Sequence, residues 1–194
     1  MLYLLRHGQT EWSESGRHTG RTDIDLTPDG EAGARKAGEL LRHLRGDRPA
    51  VVLSSPRKRA VRTAELAGLI VDEVTEDLAE WDYGDYEGRT TPQIRETVPD
   101  WTVWTHPCPN GETAEAITDR AAKVAARVRD IGQDVVLIGH GHFSRVLISS
   151  WIGQSAEFGV HFGLEPAGVS ILGDERGVPQ IERLNVPAYG ETHV

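Results

Sequence analysis

The chain has 194 residues, 21 Lys+Arg against 30 Asp+Glu and a formal charge of −9, a size that supports one compact domain with a real core. With 38% hydrophobic and 26% charged residues it reads as globular, which excludes disordered, fibrous and repeat classes. The acidic balance argues against nucleic-acid or anionic-membrane partners, which need an extended positive field, so an anionic ligand must be small and met by a local cluster of cations.

Residues 2–5, Leu-Tyr-Leu-Leu, form a short apolar run that suits a strand buried on both faces and ends at Arg6-His7-Gly8. Thr27-Pro28-Asp29-Gly30 supplies an N-cap, a proline at the first helical position and an acidic first turn. The helix it opens carries Ala37, Leu40, Leu41 and Leu44 on one face and closes at Gly46-Asp47. Residues 50–53 read as the next buried strand, and Ser54-Ser55-Pro56 starts a helix bearing Arg59, Arg62 and Thr63 before Gly68. A short extended piece at 70–74 leads to a further strand end at Leu78-Ala79-Glu80. The Tyr-, Gly- and Trp-rich stretch 81–111 is then a candidate cap or lid. Ile117, Ala121, Val124, Val128 and Ile131 recur at helical spacing, residues 134–139 supply a third buried strand, and His140-Gly141-His142 follows at once. Phe143, Val146, Leu147 and Trp151 form the apolar face of the next helix. Residues 169–172 and 180–186 pair as a hairpin around 174–177, and 187–194 is a loose tail. This alternation predicts an α/β fold: a three-layer α/β/α, doubly wound, mainly parallel sheet with a small cap and a C-terminal hairpin, in a single domain spanning 1–194.

In such sheets ligands bind beyond the carboxyl ends of the strands. The strands ending near Leu5, Leu53 and Ile138 are followed by Arg6 and His7, by Arg59, and by His140 and His142, while Gly141 lets backbone N–H groups approach a ligand at a helix start. Two guanidiniums gripping phosphoryl oxygens in paired hydrogen bonds, with an imidazole between them as nucleophile, make an oxyanion pocket that needs no hydroxyl. His140 and His142 also invite a metal reading, but zinc needs further ligands and the neighbouring arginines repel a cation, so neither metal nor cofactor is expected. The single cysteine, Cys108, rules out an internal disulfide. With no apolar run near the roughly 18 residues of a membrane span and no leader after Met1, a cytoplasmic location is expected.

Leu5-Arg6-His7-Gly8-Gln9-Thr10 resembles the signature of the histidine phosphatase superfamily, the phosphoglycerate mutase-like fold. Thr19-Gly20, the segment from Asp25 to Gly30, Ser55-Pro56 with Arg59-Ala60 and Thr63-Ala64, Leu78 to Glu80, Gly111-Glu112-Thr113 and Gly139-His140-Gly141 follow in family order over nearly the whole chain. The resemblance implies that His7 attacks phosphorus, that Arg6, Arg59 and His140 hold the transferring group, and that Glu80 serves as acid and then base. It also implies that Ser13, Thr19, Gly20, Gly141 and His142 line the substrate site. Gln9 to Ser13 and Glu80 to Gly88 look most like acid phosphatases and sugar bisphosphatases. With only Arg89 and Arg95 as cations in the cap segment, hydrolysis is favoured over mutase chemistry. A phosphoglycerate mutase and a non-catalytic phosphate-binding module are the alternatives. Ser13 stands where many members carry asparagine. Arg62, often glutamine elsewhere, lies one helical turn from Arg59 and is a candidate for a second anionic group. Trp81, Trp101, Trp104, Tyr83 and Tyr86 either wall the pocket or form the small core of the cap. The implied partner is a small phosphorylated substrate, with the oligomeric state left open, a homodimer included.

Overall fold

The computed structural model describes residues 1–46 and 48–188. Its centre is a six-stranded sheet ordered β3-β2-β4-β1-β5-β6. Strands β1 (Leu2–Arg6), β2 (Ala50–Ser54), β3 (Glu73–Val74) and β4 (Asp134–Gly139) run parallel, and β5 (Val169–Glu175) and β6 (Val178–Val186) form the antiparallel hairpin expected near the C-terminus. Side chains alternate across the sheet. Leu2, Leu4, Val135 and Leu137 face α5 (Ala114–Ile131) and α6 (Gly141–Trp151), whereas Tyr3, Leu5, Val136 and Ile138 face α2 (Pro28–Arg45) and α3 (Lys58–Leu66). Double-sided burial of strands this short explains why the sequence shows unbroken apolar runs, each fully buried Leu, Ile or Val contributing about 1.5–3 kcal/mol.

Local chemistry sets the helix ends. The Thr27 hydroxyl accepts from the Gly30 N–H at the start of α2, with Pro28 following it, and Thr113 does the same for Ala116 in α5. Gly132 ends α5 in the left-handed region at φ 69. Helix α3 begins at Lys58, slightly later than the Ser54-Ser55-Pro56 signal suggested, because Ser55 is drawn into the sheet edge by its N–H bond to the Ile138 carbonyl at 2.9 Å.

Three expectations need correction. Residues 78–80 do not end a strand: Thr75 caps a single 3-10 turn, Glu76–Leu78, and Glu80 follows it in irregular backbone. The extended piece before it shrinks to the two residues of β3. The segment 81–111 has no separate small core either, because Trp81, Tyr83, Trp101 and Trp104 pack in the same cluster as Val124, Phe143 and Leu147. Its local structure is a 3-10 turn at Gly84–Tyr86 and a short helix, α4 (Thr91–Arg95), closed by a Thr90–Gln93 capping box. A four-residue helix, α1 (Glu11–Glu14), capped by Thr10, was also not foreseen. No helix among the described residues is long and apolar enough to cross a membrane.

Candidate active site

Register assembles the site. Arg6 of β1 pairs with Gly139 of β4, so the next residues, His7 and His140, leave adjacent strands side by side with ring centroids 5.3 Å apart. On the other side of β4, Ser54 pairs with Ile138, which carries Ser55 to the same edge, where its hydroxyl lies 2.7 Å from His140 Nε2.

Close backbone contact holds His7 in place. A Cβ on Gly8 would stand 2.3 Å from the Gly30 carbonyl oxygen, and one on Gly30 would stand 2.1 Å from that of Gln9, so the loop after β1 rests directly on the start of α2. The Gly8 N–H donates to Thr63 Oγ1 at 3.0 Å, tying the same loop to α3. His7 Nδ1 lies 2.7 Å from the Gly8 carbonyl oxygen, an acceptor, so Nδ1 carries the proton and Nε2 keeps its lone pair. Burial, with the Arg59 and Arg6 guanidiniums alongside, holds the His7 imidazole well below its ordinary value and therefore neutral. His140 is displaced the same way by burial, Arg59 and His7, and its Nδ1 is buried without a hydrogen-bond partner.

Arg6 donates through one terminal nitrogen to the Leu164 carbonyl, and its buried Nε has no partner. Gly141 lies against that guanidinium, and a Cβ there would meet Arg6 Nε at 3.4 Å, an ordinary contact, so the packing does not itself demand glycine. Arg59 is fully buried, clamped by the carbonyls of Thr22 at 2.9 Å, Thr19 at 2.9 Å and Gly20 at 3.1 Å, and its Nε is also unpartnered. Buried polar groups are normally satisfied, so these nitrogens on Arg6, Arg59 and His140 leave donors free for a ligand's oxygens, a property that Arg45 Nε and Arg57 Nε share outside the site.

Glu80 sits against the N-terminus of α6. Its Oε1 accepts the N–H groups of Trp81 at 2.9 Å and Phe143 at 2.7 Å, and its Oε2 that of His142 at 3.0 Å. The helix start anticipated as an anion site for the ligand is thus filled by the protein's own carboxylate. Oε2, with one donor, retains a lone pair for a proton.

A small cavity of about 170 Å³ brings together Arg6, His7, Ser13, Thr19, Glu80, Gly141 and His142 of the anticipated residues, but not Arg59 or His140: both are fully buried, and Arg59 borders a separate surface groove with Asp25, Glu31 and Arg62. The Ser13 hydroxyl is occupied in the α1 capping box, accepting from the Thr10 N–H at 2.9 Å and donating to its carbonyl at 3.0 Å. Gly20 does not reach the cavity. Its N–H is held by the Glu87 carboxylate at 2.9 Å, and a Cβ there would strike the Trp81 carbonyl oxygen at 2.7 Å, so it is a packing glycine whose carbonyl anchors Arg59. Arg62 points away and pairs on the surface with Glu31 and Glu65, both at 3.1 Å, which removes it as the group for a second anion. Of the aromatic residues only Tyr83 lines the cavity, its hydroxyl 2.6 Å from His142 Nδ1. His140 and His142 are thus each engaged by a different hydroxyl. Among the described residues no group of three or more His, Cys, Asp or Glu is placed to hold a metal ion.

Five wall residues escaped the sequence reading: Gly16, Arg17, His18, Arg145 and Leu164. His18 is buried, with Nε2 3.2 Å from Thr91 Oγ1, and burial lowers its imidazole to about 4. A signal existed for two of them. His18 lies between Ser13 and Thr19, and Arg145 falls one helical turn after Gly141 and His142 on α6.

Comparison with known proteins gives the family and the fold. The sequence model described as histidine phosphatase superfamily (branch 1) matches residues 2–187. An acid phosphatase of Mycobacterium tuberculosis is 49% identical over 190 residues, covering 97% of this chain and 93% of that protein. A sedoheptulose 1,7-bisphosphatase of Saccharomyces cerevisiae is 36% identical over 184 residues, covering 79% and 68%. A solved structure from Mycobacterium tuberculosis superposes with a TM-score of 0.94 at 48% identity, over 97% of this chain and 98% of that one.

Proposed function

The chain belongs to the histidine phosphatase superfamily, branch 1, and is a phosphatase, and we propose that it hydrolyses small phosphomonoesters through a phosphohistidine on His7, without a metal ion. The observation that carries the reading is the His7 tautomer. With Nδ1–H donated to the Gly8 carbonyl, Nε2 keeps its lone pair, and His7 lines the cavity together with Arg6, Glu80 and His142.

In the first step the Nε2 lone pair attacks phosphorus and the P–O bond to the leaving group breaks. Glu80 Oε2 delivers its proton to that oxygen. Arg6, Arg59 and His140 meet the charge that spreads over the other phosphoryl oxygens, each preorganised donor supplying about 3 kcal/mol. Their positions are fixed beforehand by the Leu164, Thr19, Gly20 and Thr22 carbonyls and by Ser55, so little reorganisation is needed. In the second step water attacks phosphorus, Glu80 takes its proton, and the N–P bond breaks to release inorganic phosphate and restore His7.

The size of the cavity, small against the roughly 300–1,000 Å³ of drug-sized sites, supports metabolites as substrates. Similarity to the acid phosphatase and the sugar bisphosphatase supports sugar phosphates or bisphosphates among them. On this reading the chain is a single phosphatase domain, with 81–111 covering the site, working in the cytoplasm.

The test is phosphate release from a panel of phosphorylated metabolites and one chromogenic aryl phosphate, in EDTA, for the wild type and His7→Ala. Release by the wild type alone supports the proposal. Activity surviving in His7→Ala overturns the phosphohistidine. Isomerised product without phosphate release marks a mutase, and a phosphate-dependent thermal shift with no turnover marks a binding module.

A further inference from the structure

Arg59 is fully buried beside His7, yet among the described residues no carboxylate forms an ion pair with it. Burial lowers its guanidinium from the ordinary value, and Glu80, Tyr83, Asp23 and Glu87 act the other way. Its terminal nitrogens go instead to the carbonyls of Thr22, Thr19 and Gly20. The Thr19–Gly20 peptide carries the linkage further. Its carbonyl accepts from Arg59 Nη2 at 2.9 Å, and its N–H, on the opposite edge of the same trans unit, donates to the two oxygens of Glu87 at 2.9 and 3.0 Å. The Thr22 N–H donates to Glu87 Oε1 as well, at 3.0 Å. One peptide dipole therefore lies between a carboxylate and a guanidinium, and each hydrogen bond polarises the next.

Both ends of this linkage are anchored. Residues 87–90 run beside residues 17–20: the His18 N–H donates to the Arg89 carbonyl at 2.9 Å, the Gly88 N–H to the His18 carbonyl at 2.8 Å, and Arg17 and Thr90 form an antiparallel bridge. At the other end Asp23 Oδ1 accepts the Lys58 N–H at 2.9 Å, so the same loop satisfies the start of α3, the helix that carries Arg59. Glu87 itself is half-buried, makes no ion pair among the described residues and does not line the cavity, so its carboxylate is given over to the loop.

We infer that Glu87 is a positioning residue for phosphoryl transfer: acting through the Thr19–Gly20 peptide, it fixes where the Arg59 guanidinium stands beside His7 and balances its charge. This rests on the phosphatase reading and deepens it, with a residue of the 81–111 segment that lies outside the substrate cavity.

The experiment is a double-mutant cycle between Glu87 and Arg59, measured as kcat/KM on a chromogenic aryl phosphate, with urea unfolding to establish that each variant is folded. Glu87→Ala should lower kcat/KM about 10- to 100-fold, and Glu87→Gln, which keeps one acceptor oxygen for the two N–H groups, should recover most of that loss. In an Arg59→Met background, where no guanidinium remains to be placed, Glu87→Ala should lower it about twofold or less. A merely structural role would give losses that multiply across the cycle. That outcome, or full activity in Glu87→Ala or in Arg59→Met, would overturn the role assigned to Glu87. Where a variant does not fold, Glu87→Gln or Arg59→Lys takes its place, and the loss must still be smaller in the Arg59 background than in the wild type.

Thermal shift separates the two readings. If the wild type turns over no ester, the proposed function fails, and the linkage is tested by binding: inorganic phosphate should raise the melting temperature of the wild type more than that of Glu87→Ala, and equal shifts would refute it. Where Arg59→Met is too slow to assay, the same measurement decides.

Discussion

Acid should destabilise this protein through its buried histidines, and His18 allows the size of the effect to be worked out. Its imidazole is 8% exposed and burial lowers it from 6.5 to about 4 in the folded chain. In the unfolded chain it returns to about 6.5, so below that pH the unfolded state binds the proton more readily and stability falls as pH falls. The loss begins near pH 6.5 and levels off near pH 4, where both states are protonated. Moving from about pH 7.5 to about pH 5 covers 1.5 units of that window, and at about 1.36 kcal/mol per unit His18 alone costs about 2 kcal/mol. His7, His140 and His142 are displaced in the same direction and steepen the slope. His18→Gln keeps a polar group near Thr91 and removes the titration. Urea unfolding followed by tryptophan fluorescence, at several pH values, should show the stability gap between wild type and variant narrowing by about 2 kcal/mol from about pH 7.5 to about pH 5. Parallel curves would show that His18 does not titrate differently on unfolding and would refute the reasoning.

Two further substitutions probe how the site is held. Gly8→Ala forces a Cβ to 2.3 Å from the Gly30 carbonyl oxygen, so it should cost about 1–3 kcal/mol in urea unfolding and, by displacing His7, lower kcat on the order of 100-fold. Full activity at wild-type stability would mean that the contact between loop and helix does not position the nucleophile. Glu80→Gln replaces a carboxylate that accepts three backbone N–H groups and should cost about 2 kcal/mol in the same assay. It should also slow alkyl phosphates by about 10²–10⁴-fold and an activated aryl phosphate far less, because the aryl leaving group needs no proton. Equal losses on both substrates would remove Glu80 from the acid role.

Much of the molecule was legible along the chain because its signals are local. Thr27-Pro28 and Thr113 cap their helices with their own hydroxyls, the apolar runs of β1, β2 and β4 follow from burial on both faces, and the strand ends at Arg6-His7 and Gly139-His140 are visible as sharp changes of residue type. Those same features pointed to a ligand beyond the strand ends and to the family. What the tertiary structure decided is which of the polar side chains meet. Arg59 and Arg62 are one helical turn apart, yet one is buried under the carbonyls of residues 19–22 and the other is drawn to Glu31 and Glu65 at the surface, partners that the chain order alone does not assign. Glu80 looked like the end of a strand, but its place is set by backbone N–H groups of residues 142 and 143. Arg17 and Arg145 share one cavity across more than half the chain's length. Hydrogen bonding and hydrophobic periodicity act over a few neighbouring residues and can be read from order alone. Juxtaposition over long separations depends on strand register and on which faces pack, and only the folded chain specifies it.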